Sequence, residues 1–91
     1  MKEKYSREAC LQNAMAMFSL VIAKDPTRDV RIDNNHYSVV LTMYFDEDEK
    51  EKMDEMTEML NRVTMRWADY SEDYFEKHQF YAARYKWELS E

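Results

Sequence analysis

The first quarter of the chain has apolar residues at the spacing of a helix. Between about Ser6 and Lys24 they recur every three or four positions and form a broad stripe. A stripe of this width predicts a central helix that is contacted on more than one side. Asp25-Pro26 follows, and the residue before a proline is disfavoured in the helical region, so we expect the helix to end there. The apolar positions are Cys10, Leu11, Ala14, Met15, Met17, Phe18, Leu20, Val21 and Ile22.

Apolar and polar residues alternate in the next segment, at about 29–45. Because β-branched and aromatic residues are frequent there, the period of two predicts a pair of strands. Asn34 and Asn35 tolerate positive φ, so we expect a two-residue turn closed by Asp33 and His36. A two-stranded hairpin is barely stable in water, and it must therefore lie on the first helix or gain further strands.

The remainder of the chain, about 46–89, has a helical pattern without glycine or proline. Asp46 and Glu49 resemble a capping box at its start. Apolar residues then repeat at alternating spacings of three and four, which is typical of a heptad-like seam. After Tyr74 the stripe shifts, which predicts a stutter or a break near Ser71. The seam consists of Met53, Met56, Leu60, Val63, Trp67, Tyr70 and Tyr74.

These patterns predict a single α+β domain over residues 1–91, with the element order α-β-β-α. The N-terminal helix would pack on a two-stranded antiparallel hairpin and on a long C-terminal helix, either continuous or broken into a helical pair. At about 1.5 Å per residue, a continuous helix over 46–89 would be about 65 Å long, and the first helix only about 28 Å. The far end of the long helix must therefore fold back or be covered by another molecule.

The composition excludes several classes of function. The chain has 91 residues with no glycine and one cysteine. Without glycine there is no phosphate-binding loop, nucleophile elbow or dinucleotide-binding fingerprint. One cysteine excludes disulfide frameworks and thiolate zinc sites, and we expect Cys10 to be a buried, inert thiol. His36 and His78 belong to no metal-binding motif, so we expect no bound metal. Because these motifs are absent together, we also expect no enzymatic activity, no catalytic residue and no cofactor.

The chain has no apolar run that is long enough to span a bilayer. The N-terminus also lacks the apolar core and small-residue cleavage site of a signal peptide. We therefore expect a cytoplasmic protein without membrane association, in which the thiol stays reduced.

Acidic residues are concentrated after residue 45, and the formal net charge of the chain is -6. One interpretation is a solvated helix face whose acids suit the positive end of the helix dipole. The other is a row of carboxylates that imitates nucleic-acid phosphates and docks on a basic protein surface. The candidate acidic face consists of Asp46, Glu47, Asp48, Glu51, Asp54, Glu55, Glu58, Asp69, Glu72 and Asp73.

Aromatic residues are concentrated between positions 67 and 87. They fall on two stripes of the predicted helix, which indicates either a folded-back helix with both faces in the core or a protein interface. As interface anchors we select Phe75, Phe80, Arg84 and Trp87, since these residue types dominate binding hot spots. Only three basic residues accompany them, which makes direct stacking on single-stranded nucleic acid an unfavoured alternative.

Together these features favour a non-enzymatic, acidic protein-binding inhibitor or regulator. It would dock on a basic surface of a nucleic-acid-handling protein, such as a nucleic-acid-binding enzyme, as a nucleic-acid mimic. In its small size and negative charge, the chain resembles phage-encoded inhibitors of host defence, including anti-CRISPR proteins. The alternative is a homodimeric helical adaptor or chaperone-like module, in which helices pair along the seam or hairpin edges join into one sheet.

Overall fold

The computed structural model describes residues 6–63 and 68–89 and shows two helices and four strands in this part of the chain. In chain order they are α1 (Arg7–Lys24), β1 (Asp29–Asn34), β2 (Ser38–Asp46), a 3₁₀ turn (Glu47–Glu49), α2 (Lys50–Val63), β3 (Asp69–Phe75) and β4 (Phe80–Glu88). The strands form one antiparallel sheet in the order β1-β2-β4-β3. Both helices contribute to the same hydrophobic core as the sheet.

The first helix is confirmed almost to the residue. The Ser6 side chain caps it by accepting a hydrogen bond from the Ala9 N–H at 3.2 Å, and Asp25 is its C-cap. Its inward positions Cys10, Ala14 and Val21 are completely buried. Because these residues follow the helical period, the sequence alone was sufficient to place this element.

The sheet has one face covered by the helices and one face without them. On the covered face, Leu41 of β2 lies opposite Tyr85 of β4, and both are buried in the core beneath α1 and α2. The neighbouring pair, Thr42 and Arg84, points to the opposite face because successive strand residues alternate. The second face, which we call the open face, carries charged and aromatic side chains, among them exposed Arg31 and Lys86.

The predicted long C-terminal helix and the two-stranded sheet are wrong. The helix predicted over 46–89 exists only as the 3₁₀ turn and α2, and the segments 69–75 and 80–88 are strands. Tyr81 and Tyr85 explain the error, because a spacing of four residues keeps two side chains on one face of a helix and on one face of a strand. Trp67 and the side chain of Val63, which belong to the predicted seam, lie outside the described residues.

The hairpin of β1 and β2 is confirmed, but its turn is not at the predicted asparagines. Asp33 pairs with Val40 instead of closing a turn with His36, and the Asn35 N–H donates to the Ser38 carbonyl at 2.8 Å. The two turn residues are therefore His36 and Tyr37. The guanidinium of Arg7 donates to the carbonyls of Asn35 and His36 at 2.6 and 2.9 Å, so a contact from α1 fixes the turn.

The element order also contains a repeat that is not visible in the sequence. A helix followed by an antiparallel hairpin occurs twice, and the second strands of the two hairpins, β2 and β4, pair at the centre of the sheet. Thr42 and Arg84 are the midpoints of these nine-residue strands and lie directly opposite each other. The two halves are thus related by an approximate twofold axis through the Thr42–Arg84 pair, normal to the sheet.

Candidate protein-interaction surface

The outward side of α2 is a line of acidic residues. Met53, Met56 and Leu60 turn inward into the core, which leaves the opposite side of the helix facing solvent. The 3₁₀ turn leads into α2, and the Glu49 carboxylate accepts a hydrogen bond from the Asp46 N–H at 2.9 Å, as the predicted capping box requires. We call the outward line the acidic ridge, and it consists of Asp48, Glu51, Glu55 and Glu58.

Only part of this charge is balanced within the chain. The Glu58 carboxylate pairs with Arg62 at 2.8 Å, whereas the carboxylates of Asp48, Glu51 and Glu55 make no hydrogen bond or ion pair with any described residue. All three side chains are exposed to solvent. The ridge therefore offers three uncompensated negative charges within two turns of helix.

The start of α2 is held against the sheet by contacts to β3. The Lys50 ammonium lies 2.9 Å from the Asp54 carboxylate and 3.6 Å from that of Glu72. The Tyr74 hydroxyl donates to Glu47 at 2.6 Å, and this carboxylate raises the pKa of Tyr74 to about 12. Glu47, Asp54 and Glu72 therefore lie together on the flank of α2 that faces β3.

The acidic face predicted from the sequence is divided between the two faces of the sheet. Asp69 and Asp73 were placed on the same helix as the other acids, but they belong to β3 and alternate with Glu72, so they point to the open face. There Asp73 forms an ion pair with Arg84. Asp46 is exposed at the end of β2, beside the open-face residue Phe80.

A partly buried arginine anchors the beginning of the ridge. The guanidinium of Arg28 pairs with Asp25 at 2.7 Å and with Glu49 at 2.8 Å, and it lies 4.2 Å from the centre of the Phe45 ring. Hydrogen bonds from Arg28 lower the pKa of Asp25 and bring that of Glu49 to about 2. Burial opposes both effects but does not outweigh them. Glu49 therefore has a structural role, and we do not count it in the ridge.

Three of the four predicted aromatic anchors come together on the open face. Phe75 and Phe80 stack with ring centres 4.7 Å apart, and the Arg84 guanidinium lies 6.0 Å from the centre of the Phe75 ring. Trp87 has the opposite orientation on β4 and is 1% exposed in the core, so it cannot contact a partner in the folded chain. Phe75, Phe80 and Arg84 thus lie together although they were assigned to a helix, because the helical and the strand period both place Phe80 and Tyr81 on different faces.

Tyr44 and Arg31 complete this group and were missed by the sequence analysis. The Tyr44 ring lies 5.8 Å from that of Phe80, and the Arg31 guanidinium lies 5.3 Å from the centre of the Tyr44 ring. Tyr44 belongs to the alternating pattern of β2. Its place in that alternation was the sequence signal that could have assigned it to the open face. We call the group Arg31, Tyr44, Phe75, Phe80 and Arg84 the aromatic patch.

A cavity of about 580 Å³ opens where the 3₁₀ turn meets the aromatic patch. Its lining includes Arg28, Arg31, Tyr44, His78 and Phe80. Arg28 is paired with Asp25 and Glu49, and Arg31 with Asp29 at 3.2 Å, so both guanidinium groups already face carboxylates. The cavity is therefore charge-balanced, in contrast to the acidic ridge.

Potential metal ligands are scattered over the part of the chain that the structure describes. No cluster of three or more potential metal ligands occurs among these residues. Cys10 is buried, and desolvation raises the pKa of its thiol. Neither α1 nor α2 is long and apolar enough to cross a membrane.

The chain was compared with known proteins at the levels of family, sequence and fold. No protein-family model, curated protein or solved structure matches it.

Proposed function

We propose that the protein is a non-enzymatic inhibitor or regulator that docks through the acidic ridge on a basic surface of a nucleic-acid-handling protein. In this role the ridge occupies the part of the partner's surface that otherwise contacts nucleic-acid phosphates. Three exposed carboxylates without internal partners, Asp48, Glu51 and Glu55, carry the proposal. Their separation of three and four residues brings them onto one side of the helix, and a row of like charges attracts an oppositely charged partner over a long range.

The surroundings of the ridge support this role. Asp54 and Glu72 extend the negative charge towards β3 and share a single lysine, Lys50. The chain as a whole carries a net charge of -6, which favours association with a basic partner and opposes association with nucleic acid itself. The aromatic patch is on the other face of the sheet, so we treat it as a separate surface.

The proposal can be tested by capture of a partner followed by measurements on the purified pair. A ridge variant with Asp48→Asn, Glu51→Gln and Glu55→Gln removes three charges that make no internal contact. A matched control with Glu8→Gln, Asp33→Asn and Glu76→Gln removes three exposed charges elsewhere. We expect the ridge variant to bind the captured protein at least tenfold more weakly, with the control within twofold of the unmodified chain.

Salt and nucleic acid provide the second readout. We expect the affinity to fall steadily as NaCl is raised from about 50 to about 500 mM, because the Debye length falls from about 14 to about 4 Å. We also expect the nucleic acid that the partner binds to compete with the protein for it. Equal affinities of the ridge variant and the control, or binding that is insensitive to salt, would reject the acidic ridge as the docking surface.

A further inference from the structure

The strand β3 forms an outer edge of the sheet that remains exposed. It pairs with β4 on one side, and no strand in the described part of the chain pairs with its other side, which we call the β3 edge. All seven residues of β3 are exposed, and none of them belongs to the hydrophobic core. The other edge strand, β1, differs in this respect, because its Val30 and Ile32 are partly buried against the core.

The main chain of β3 is regular enough to accept a further strand. Its seven residues pair one to one with residues 80–86 of β4, without a bulge or a proline. In an antiparallel ladder, alternate residues direct their N–H and C=O groups towards the paired strand, and the residues between direct theirs away from it. The second set in β3 is therefore available at the β3 edge. Because neither a bulge nor a proline blunts this edge, its side chains decide what can pair with it.

The side of β3 that faces the helices carries an excess of negative charge. Glu72 lies on this side, opposite Ala83 of the core, and Tyr74 contacts Glu47 there at 2.6 Å. Lys50 lies 2.9 Å from Asp54 and 3.6 Å from Glu72, and it is the one base among the described residues that forms an ion pair with these carboxylates. Three carboxylates thus share a single ammonium group. We call Glu47, Asp54 and Glu72 the acidic flank.

The open-face side of β3 carries no such excess. Asp73 forms an ion pair with Arg84, and Asp69 lies opposite Lys86 in the register of β3 and β4. The other open-face residues of β3 are uncharged. A strand added to the β3 edge would therefore meet uncompensated carboxylates on one side only. Since successive residues of a strand alternate between its two sides, the complementary sequence alternates basic and uncharged residues.

We infer that the β3 edge binds an extended segment of a partner protein, as an added strand in which every second residue is basic. The inference goes beyond the proposed function, because it concerns the sheet edge and not the acidic ridge. Main-chain hydrogen bonds to β3 would hold the segment, and its lysine or arginine side chains would lie beside the acidic flank. A second copy of this chain fits less well, since antiparallel pairing about the midpoint of β3 brings Glu72 opposite its counterpart.

Defined peptides test this inference without knowledge of the natural partner. The probe is a peptide of about nine residues in which lysine and threonine alternate. The first control has the same sequence with N-methyl groups on its central amides, so it keeps the charge but cannot donate hydrogen bonds from these amides. The second control has the same composition with all lysines in one block. By NMR titration in about 150 mM NaCl, we expect the probe to bind at least tenfold more tightly than the first control and at least threefold more tightly than the second.

Two further measurements locate the bound peptide. Pairing protects the amides that point away from β4, so we expect hydrogen exchange to slow at least tenfold at alternate residues of β3 and to stay unchanged on β1. Glu72→Lys reverses a charge at the middle of β3, whereas Glu76→Lys makes the same change in the exposed turn beyond it. We expect Glu72→Lys to weaken binding of the probe at least fivefold and Glu76→Lys to change it less than twofold. The amide spectra of β2 and β4 verify that both variants keep the sheet.

The outcomes separate this inference from the proposed function. If the probe does not bind, or if it binds no more tightly than the N-methylated control, strand addition is overturned. Equal effects of Glu72→Lys and Glu76→Lys would also overturn it. The ridge variant should bind the probe within twofold of the unmodified chain, and a larger loss would place the peptide on the acidic ridge instead. Slow exchange on β3 without peptide that increases with protein concentration would assign the edge to a second copy. The proposed function is judged independently, with the captured partner.

Discussion

Glu49 accepts two hydrogen bonds from the guanidinium of Arg28, at 2.8 and 3.0 Å. The residues are 21 positions apart, and Arg28 also donates to the Tyr44 carbonyl at 3.1 Å. The side chain of Arg28 is only 9% exposed, so these partners must compensate the energetic cost of burying its charge. The pair therefore fixes the beginning of α2, and with it the acidic ridge, against the first hairpin.

Acid unfolding should depend on this pair. The pKa of Glu49 is lowered from 4.5 to about 2, chiefly by the hydrogen bonds from Arg28. A carboxyl whose pKa is lower in the folded state stabilises the fold above pH 4.5, and the stabilisation is lost as the pH falls towards 2. We expect Glu49→Gln to lower the free energy of unfolding at pH 7 by about 1.5–3 kcal/mol and to flatten its decrease at acid pH.

Urea unfolding at a series of pH values measures this effect. Asp48→Asn is the matched control, because Asp48 is adjacent to Glu49 but its side chain makes no hydrogen bond or ion pair with a described residue. Its unfolding free energy should follow the unmodified chain across the acid range. Parallel acid profiles for Glu49→Gln and the unmodified chain would contradict the assigned role of the pair.

The hydrogen bond between Tyr74 and Glu47 gives a second measurable pKa. The Glu47 carboxylate accepts a hydrogen bond from the phenol O–H and opposes formation of the phenolate, which raises the pKa of Tyr74 to about 12. We expect Glu47→Gln to lower this pKa towards the ordinary value of 10, measured by carbon NMR of labelled tyrosine. Glu51→Gln should leave it unchanged, and a similar shift in both variants would argue against a specific contact.

The turn between β3 and β4 adopts a glycine-like conformation without glycine. Gln79 has φ of 56°, and its carbonyl accepts a hydrogen bond from the Glu47 N–H at 3.1 Å. Because a side chain is disfavoured in this left-handed region, we expect Gln79→Gly to raise the free energy of unfolding by about 0.5–1 kcal/mol. Lys77→Gly, in the same turn but without positive φ, should lower it. Stabilisation by both changes would indicate a different cause.

The edge strand β3 tests the homodimer alternative. All seven of its residues are exposed, and antiparallel pairing of two copies about its midpoint would bring Glu72 opposite its counterpart. Like charges at that position disfavour edge pairing, so we expect a monomer by light scattering at micromolar concentration. Glu72→Val should promote association, whereas Glu72→Gln should have a smaller effect. A stable dimer of the unmodified chain would support the homodimeric module.

The parts of the fold that could be predicted are those with an unambiguous local signal. The inward residues of α1 follow only the helical period, and Pro26 ends the helix locally. The strands β1 and β2 are rich in β-branched and aromatic residues with a period of about two, and a lone hairpin was expected to require further strands. These strands exist as β4 and β3, on a segment that the sequence analysis assigned to a helix.

The parts that could not be predicted depend on residues distant in the sequence. The pairs Tyr70–Tyr74 and Tyr81–Tyr85 fit a helix and a strand equally well, and only the pairing of β4 with β2 and of β3 with β4 decides between them. The residues of the candidate site could likewise not be assigned to one surface from local spacing alone. Phe75, Phe80 and Arg84 meet on the open face, but Trp87 was assigned to the same surface although its strand position directs it into the core.

The sequence alone determined the chemistry that the protein can offer: a surplus of acids, an uncharged first helix, and no residues assembled in a known catalytic motif. Composition and local spacing are sufficient for this, since they do not depend on which segments pack against each other. Only the tertiary structure decided which acids are free. Lys50 bridges Asp54 and Glu72, and Arg28 holds Glu49, while the side chains of Asp48, Glu51 and Glu55 form no ion pair with a described residue, because pairing depends on distance in space.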